Sequence, residues 1–153
     1  PASRDWVRAL GADFVVNHHE PLPAQIAALG IGAPAFVFST SHSDTYLPAI
    51  AELIAPQGRI AVIDDPATLD VNPLKSKSLS LHWEFMFTRA LWQTADIAAQ
   101  GQILREVAAL VDAGKIRTTL NERLDGIHAA NLRHAHALLE RGDAIGKVVL
   151  SGW

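Results

Sequence analysis

Two short polar stretches, each closing an apolar run, hold the side chains of this sequence best placed for chemistry. Ser39-Thr40-Ser41, followed by His42 and Asp44, ends the run Phe36-Val37-Phe38, and Asp64-Asp65 ends Ile60-Ala61-Val62-Ile63. A hydroxyl, an imidazole and a carboxylate can form a nucleophile relay, and neighbouring carboxylates can move protons or hold a cation. Each stretch also has a plainer reading. Ser39, His42 and Asp44 crowd one loop, and no G-x-S-x-G elbow presents the serine. Adjacent carboxylates before Pro66 commonly begin a turn. The hydroxyls of Ser39 and Thr40 can bond a ribose or a phosphate, or they can simply cap the loop.

Seven histidines raise the question of a metal, while the absence of cysteine removes thiolate ligands, disulfides and a cysteine nucleophile. His134 and His136 are two residues apart, which on a helix separates them by about 200°. They do not share a ligand face. No H-E-x-x-H is present, and His18-His19-Glu20 lies in a loop without a third ligand at a recognisable spacing. Zinc binding by this chain is not expected.

The two polar stretches depend on the elements before and between them. Leu47, Ile50, Ala51 and Ile54 recur at helical spacing, with Ser43 or Asp44 available as a cap and Pro48 tolerable near the first turn. Pro56-Gln57-Gly58 stops this helix, so residues 35–66 read as strand, helix, strand. Short apolar strands joined by a helical crossover run parallel and are expected to be buried on both faces. In such sheets ligands bind just beyond the carboxyl ends of the strands. Those ends are Ser39-Thr40-Ser41 and Asp64-Asp65.

Around this unit, Asp5 to Leu10 reads as a short helix stopped by Gly11, Asp13 to Asn17 as a short strand, and Gln25 to Leu29 as helical. Ser78 to Trp83 reads as a strand and runs into the aromatic patch 83–87. Gln102 to Ala113 and Ala129 to Arg141 are helices ending at Gly114 and Gly142. Thr118 to Leu120 and Arg123-Leu124 are weaker extended segments, and Lys147 to Leu150 is a final strand. This alternation predicts an α/β fold. No strand precedes the first helix, and no G-x-G-x-x-G turn occurs.

Composition fits one globular domain: 153 residues, 49% hydrophobic and 19% charged. The net charge of −3 and the lack of a basic stripe argue against nucleic acid as a partner. No apolar run approaches the ~20 residues that span a bilayer. A reducing, cytoplasmic location is the expectation consistent with the absence of cysteine.

Several segments taken together resemble a known family. Ala2-Ser3-Arg4, Leu10-Gly11-Ala12-Asp13, Phe38-Ser39-Thr40, the stretch 53–59 (LIAPQGR) and Gly146 to Leu150 follow the order found in medium-chain dehydrogenases/reductases. Residues 63–66 (IDDP), 81–89 (LHWEFMFTR) and 109–118 (ALVDAGKIRT) resemble the zinc-type alcohol dehydrogenase-like branch related to quinone oxidoreductases. The resemblance covers essentially the whole chain, and its strength lies in the order of motifs that are individually weak.

The resemblance implies the C-terminal half of such an enzyme, a partial Rossmann-like doubly wound parallel sheet lacking its first strand and Gly-rich turn. Residues 1–114 would be a partial dinucleotide-binding domain, and 115–153 would pack back on the catalytic domain. NADP is the implied cofactor, with NAD as the alternative. Ser3 and Arg4 would lie at the adenine ribose, where a hydroxyl and a guanidinium suit a 2′-phosphate better than a 2′-hydroxyl. Ser39 and Thr40 would contact cofactor hydroxyls or phosphate, and Ile63 and Asp64 would contact the nicotinamide mainly through backbone. His18, Trp83 and Lys147 complete the implied cofactor set, with Lys147 neutralising pyrophosphate. No residue is expected to act as catalytic acid or nucleophile. The implied reaction is hydride transfer from NAD(P)H to a carbonyl, enone or quinone. The alternative is a non-catalytic fragment that serves as a dimerisation or interaction module. Homodimerisation through the edge strand 78–83 is expected, although Trp83, Phe85 and Phe87 could instead pack internally against Leu91 and Trp92.

Overall fold

The apolar runs at Phe36 and Ile60 are adjacent parallel strands, as their lengths and the helix between them predict. A computed structural model describes residues 2–142 and 144–152. In chain order its elements are α1 (Ala2–Ala9), α2 (Leu22–Ala28), β1 (Phe36–Ser39), α3 (Ser43–Leu53) and β2 (Arg59–Val62). A 3-10 helix at Asn72–Lys77 leads to β3 (Ser80–Trp83), α4 (Thr88–Trp92) and α5 (Ala99–Asp112). The chain continues through β4 (Leu120–Asp125), α6 (Ala129–Glu140) and β5 (Lys147–Ser151). These elements fall into two compact units: Phe14–Ile97, and the described residues of 1–13 with 98–153. Among the described residues no helix is long and apolar enough to cross a membrane.

In the unit Phe14–Ile97 the strands lie in the order β1-β2-β3, all parallel, with Val37 opposite Ile60 and Ile60 opposite Leu81. Strand alternation sends Val37, Ile60, Val62 and Leu81 to one face. There α3 and the 3-10 helix meet them, through Leu47, Ile50, Ala51, Ile54 and Leu74. Leu47, Ile54, Ile60 and Val62 are each at most 1% exposed. Burying each such side chain contributes about 1.5–3 kcal/mol, so this small cluster carries most of what holds the strands to the helix. The expectation of burial on both faces holds on this side only. Phe36 and Phe38 point the other way and remain 71% and 63% exposed. A doubly wound sheet needs a helix layer on each face, and within this unit α3 and the 3-10 helix supply one.

Both ends of α3 are closed from further along the chain. The Lys77 ammonium donates to the carbonyls of Glu52 (2.6 Å) and Ile54 (2.8 Å), where a cation satisfies the last carbonyls. Gly58 then lets the chain turn tightly into β2. A Cβ there would lie 2.6 Å from Ile54 Cγ1 and 2.8 Å from the Ala55 carbonyl oxygen. Pro48 falls in the second turn of α3 rather than the first, so the helix omits one internal hydrogen bond at that point.

The stretch expected as a strand at Asp13 to Asn17 is extended but pairs with no strand among the described residues. Its end is satisfied by a side chain instead. Asn17 donates its backbone N–H to Gln25 Oε1 and accepts from Gln25 Nε2, both at 2.8 Å. The Gln25 amide thus pairs the N–H and the C=O of Asn17 as a neighbouring strand would, at that one residue. Two further elements had no clear periodic signal: the 3-10 helix Asn72–Lys77 and the five-residue α4.

In the other unit β4 and β5 form a separate parallel pair joined through α6. Of the weak extended segments, Leu120 and Arg123-Leu124 fall in one strand, which begins after Thr118 and Thr119 and has a register shift between Leu120 and Glu122. Helix α5 forms as its periodicity predicts and Gly114 follows its end at φ +68. Its stripe of Ile103, Leu104, Val107 and Val111 is 40–66% exposed.

Candidate functional site

The carboxyl ends of β1 and β2 are tied together by three side chains. Ser39 closes β1 and Ser43 opens α3, and both are buried, at 8% and 0% exposure. Their hydroxyl oxygens are 2.6 Å apart. The Ser43 hydroxyl donates to Asp64 Oδ1, and the Ser43 backbone N–H donates to Asp64 Oδ2 at 2.9 Å. The Ser43 hydroxyl first, and then its backbone N–H, stabilise the ionised carboxylate and hold Asp64 below its ordinary value of 3.8. A carboxylate held ionised by two donors is a poor proton carrier at neutral pH.

This arrangement also disposes of the hydrolase relay. Ser39 is bonded to Ser43 rather than to His42, and Asp44 accepts from the Thr45 backbone N–H at 2.8 Å. Asp65 is exposed beside Pro66.

A cleft of about 390 Å³ opens along the free edge of β1. Its polar end is formed by His18, Ser39, Thr40 and Ser41, and its apolar length by Val16, Ile26, Phe36 and Tyr46 among others. The structure therefore brings together three of the expected site residues: His18, Ser39 and Thr40. Ile63 donates its backbone N–H to the Ser39 carbonyl at 3.2 Å, while its side chain turns to the opposite, open face of the sheet. That face holds a broad depression of about 1020 Å³ lined also by Phe36, Phe38, Glu84, Phe85 and Met86. Trp83 ends β3 and is 58% exposed. Ser3 and Arg4 lie exposed in the first half of α1, and Lys147 opens β5, so these three belong to the other compact unit.

Sequence reasoning missed Ser43 as the hub of this cluster. The Ser39, Ser43 spacing was visible, but its partner Asp64 lies 21 residues further on. Only strand register brings that carboxylate to the helix start.

A family model described as zinc-binding dehydrogenase matches residues 10–150. The chain belongs to that family. It corresponds to the C-terminal half of a medium-chain dehydrogenase/reductase. It is 34% identical over 148 residues to a zinc-type alcohol dehydrogenase-like protein of Staphylococcus aureus strain MSSA476, covering 96% of this chain and 44% of that protein. A crystal structure from Rhizobium etli CFN 42, assigned to the zinc-dependent alcohol dehydrogenases, is 54% identical. It superposes with a TM-score of 0.93 over 100% of this chain and 45% of its own. A structure described as an NAD-dependent alcohol dehydrogenase is 25% identical with a TM-score of 0.73, over 97% of this chain and 40% of its own. The chain thus spans less than half the length of the relatives it matches. It has a Rossmann-like α/β fold with parallel sheets.

The family name mentions zinc, and the donor set here can be tested against it. Zinc sites need three or four His, Cys or carboxylate ligands converging on one point. Among the described residues no three His, Cys, Asp or Glu side chains converge in that way. His134 comes within 4.0 Å of the Glu122 carboxylate, a pair rather than a cluster among the described residues. The described residues therefore offer no donor set that fits a zinc ion.

Proposed function

We propose that this dehydrogenase chain is the cofactor-binding half of an NAD(P)H-dependent oxidoreductase that transfers hydride to a carbonyl, enone or quinone. One observation carries the reading: a cleft whose polar end lies at the carboxyl end of a parallel strand, lined by Ser39, Thr40 and His18. Bound reduced nicotinamide would supply the hydride. The residues of this chain would bind and orient it. In this reading Ser39 and Thr40 face ribose or phosphate, Ile63 and Asp64 offer backbone groups, and Trp83 and Lys147 complete the contacts. Residues 1–114 act as the dinucleotide-binding part and 115–153 as the segment that packs on a catalytic domain. A reducing cytoplasmic setting accords with a sequence that has no cysteine.

NADP is the preferred cofactor in this proposal because Ser3 and Arg4 present a hydroxyl and a guanidinium where an NAD enzyme places a carboxylate. The NAD-dependent relative keeps NAD as the alternative. Titration of NADPH and NADH, followed by nicotinamide fluorescence, tests the reading. Saturable binding that is tighter for NADPH is expected, and Arg4→Ala should bring the two affinities together. Absence of saturation at millimolar cofactor would overturn it in favour of a non-catalytic interaction module. A quinone reduction assay is expected to show no turnover by these 153 residues alone.

The same proposal includes a homodimer formed through β3, which like β1 is an outer strand of the sheet and whose free edge is flanked by exposed Phe85, Met86 and Phe87.

A further inference from the structure

We propose that Asp64 is a positioning residue for the cleft: through Ser43 and Ser39 it fixes the Ser39–His42 loop and so the groups that Thr40 and Ser41 present. This inference rests on the cofactor-binding reading above and deepens it.

Three features carry the inference. The first is the direction of the hydrogen bonds. Ser43 gives its one hydroxyl proton to Asp64 Oδ1, so the proton in the 2.6 Å Ser39–Ser43 contact must come from Ser39. The chain of donors therefore runs Ser39 to Ser43 to Asp64 and ends on a charge, which strengthens each link. The second is burial. Two hydroxyls stand at 8% and 0% exposure beside an otherwise apolar core, where an unsatisfied hydroxyl is costly. Alanine at both positions would suit the core at least as well. The polar chain is what joins β1, α3 and β2 at their functional ends.

The third feature is the loop itself. Only Thr40, Ser41 and His42 lie between the two pinned serines, and Thr40 and Ser41 line the cleft. His42 sits in the left-handed region at φ 53, a conformation that a non-glycine residue adopts only under constraint. It stays there because its carbonyl accepts the N–H groups of Thr45 (3.0 Å) and Tyr46 (3.1 Å) and because Ser43 is anchored. A three-residue loop with a strained end has little freedom while both ends hold. Releasing Ser39 or Ser43 lets it relax away from the cleft.

The test uses the full-length protein that carries this chain, with Asp64→Asn and Ser39→Ala beside the parent. Ser39→Ala leaves the bonds between Ser43 and Asp64 intact and serves if Asp64→Asn does not fold. Binding of NADPH is compared with binding of adenosine 2′,5′-bisphosphate, which lacks the nicotinamide half, and melting temperatures are recorded. Each variant is expected to weaken NADPH by about tenfold while changing adenosine bisphosphate by less than about twofold. Equal weakening of both ligands, or unchanged NADPH affinity, overturns the positioning role and leaves the cofactor reading standing. If the parent binds neither NADPH nor NADH, the cofactor reading fails and the positioning role falls with it.

Discussion

The backbone N–H of Ser43 donates to Asp64 Oδ2 at 2.9 Å, so the start of α3 is capped by a residue beyond the next strand. His42, at the cap position, makes no side-chain cap bond of its own. A helix ordinarily takes this bond from a residue next to it in sequence, which stabilises the helix alone. Here the same bond also fixes helix against strand. This cap is therefore available to α3 only when the helix is docked on β2.

Removing the hub should show this coupling. Ser43→Ala deletes the bond to Asp64 Oδ1 and leaves the buried Ser39 hydroxyl without its acceptor. A loss of about 1–3 kcal/mol is expected, from one deleted hydrogen bond and one stranded polar group. Chemical denaturation followed by circular dichroism measures it. A change of a few tenths of a kcal/mol would mean that water replaces the bond freely. Such a result would contradict the 0% exposure of Ser43.

Acid stability should depend on the same carboxylate. Asp64 is held below its ordinary 3.8 by the Ser43 hydroxyl and then the Ser43 N–H. A group depressed in the folded state contributes stability that is fully present above the unfolded value and is lost as pH falls through the folded one. Urea midpoints measured from neutral pH downwards should therefore drop below about pH 4, the unfolded range of a carboxyl. Asp64→Asn should lower the midpoint at neutral pH and flatten that drop. The flattening will be partial. Asp96 is depressed in the same direction by the Thr94 hydroxyl and then by Arg89, which donates to it at 2.9 Å. A variant with the parent's full acid slope would show that the Asp64 contacts do not persist in solution.

Gly58 offers a prediction that does not depend on function. Its backbone needs no unusual dihedral, so the reason for glycine is space: an added Cβ meets Ile54 Cγ1 at 2.6 Å and the Ala55 carbonyl oxygen at 2.8 Å. Ile54 could turn within the core, but the carbonyl is backbone and can move only with the turn itself. Gly58→Ala is expected to cost about 1–3 kcal/mol, in the range for overpacked sites. Thermal denaturation reads it directly. An unchanged melting temperature would mean that the turn relaxes without strain.

How far the sequence could be read followed from the range of the interactions. The elements β1, α3 and β2 announce themselves through periodicity within a dozen residues, because the core they form is local. The strand expected at Asp13 to Asn17 failed for the opposite reason. Its apolar run is as good as that of β1, but a strand exists only by its neighbour, and Gln25 takes the place of one at Asn17. The exposed face of Phe36 and Phe38 reflects the same limit, since a run of apolar residues cannot say whether both sides are covered. In the site, Ser39 and Thr40 were legible from their place at a strand end. Ser43 was not, because a serine at a helix start has an obvious local use. Its actual partner is reached only once β1 and β2 are in register, with Ser39 opposite Val62.

The register of β3 separates the proposed dimerisation through its edge from folding of the sheet. Ser80 and Glu84 donate their N–H groups on the β2 side, to the carbonyls of Gly58 just before β2 (3.0 Å) and Val62 at its end (2.9 Å). In a parallel strand alternate residues bond to opposite sides, so the N–H groups of Leu81 and Trp83 face the free edge. Proline at one of those positions removes an outer donor and no ladder bond, whereas proline at His82 removes an inner one. Trp83 is also 58% exposed, so its side chain contributes little to the core. Trp83→Pro is therefore expected to shift the protein from dimer to monomer with little loss of thermal stability. His82→Pro should lower stability by about 1–3 kcal/mol, the order for a lost hydrogen bond that leaves its partner unpaired. Light scattering at micromolar concentration, paired with melting curves, distinguishes the two effects. A parent that is already monomeric under those conditions would remove the edge-strand dimer. A Trp83→Pro variant that stays dimeric would move the interface elsewhere on the protein.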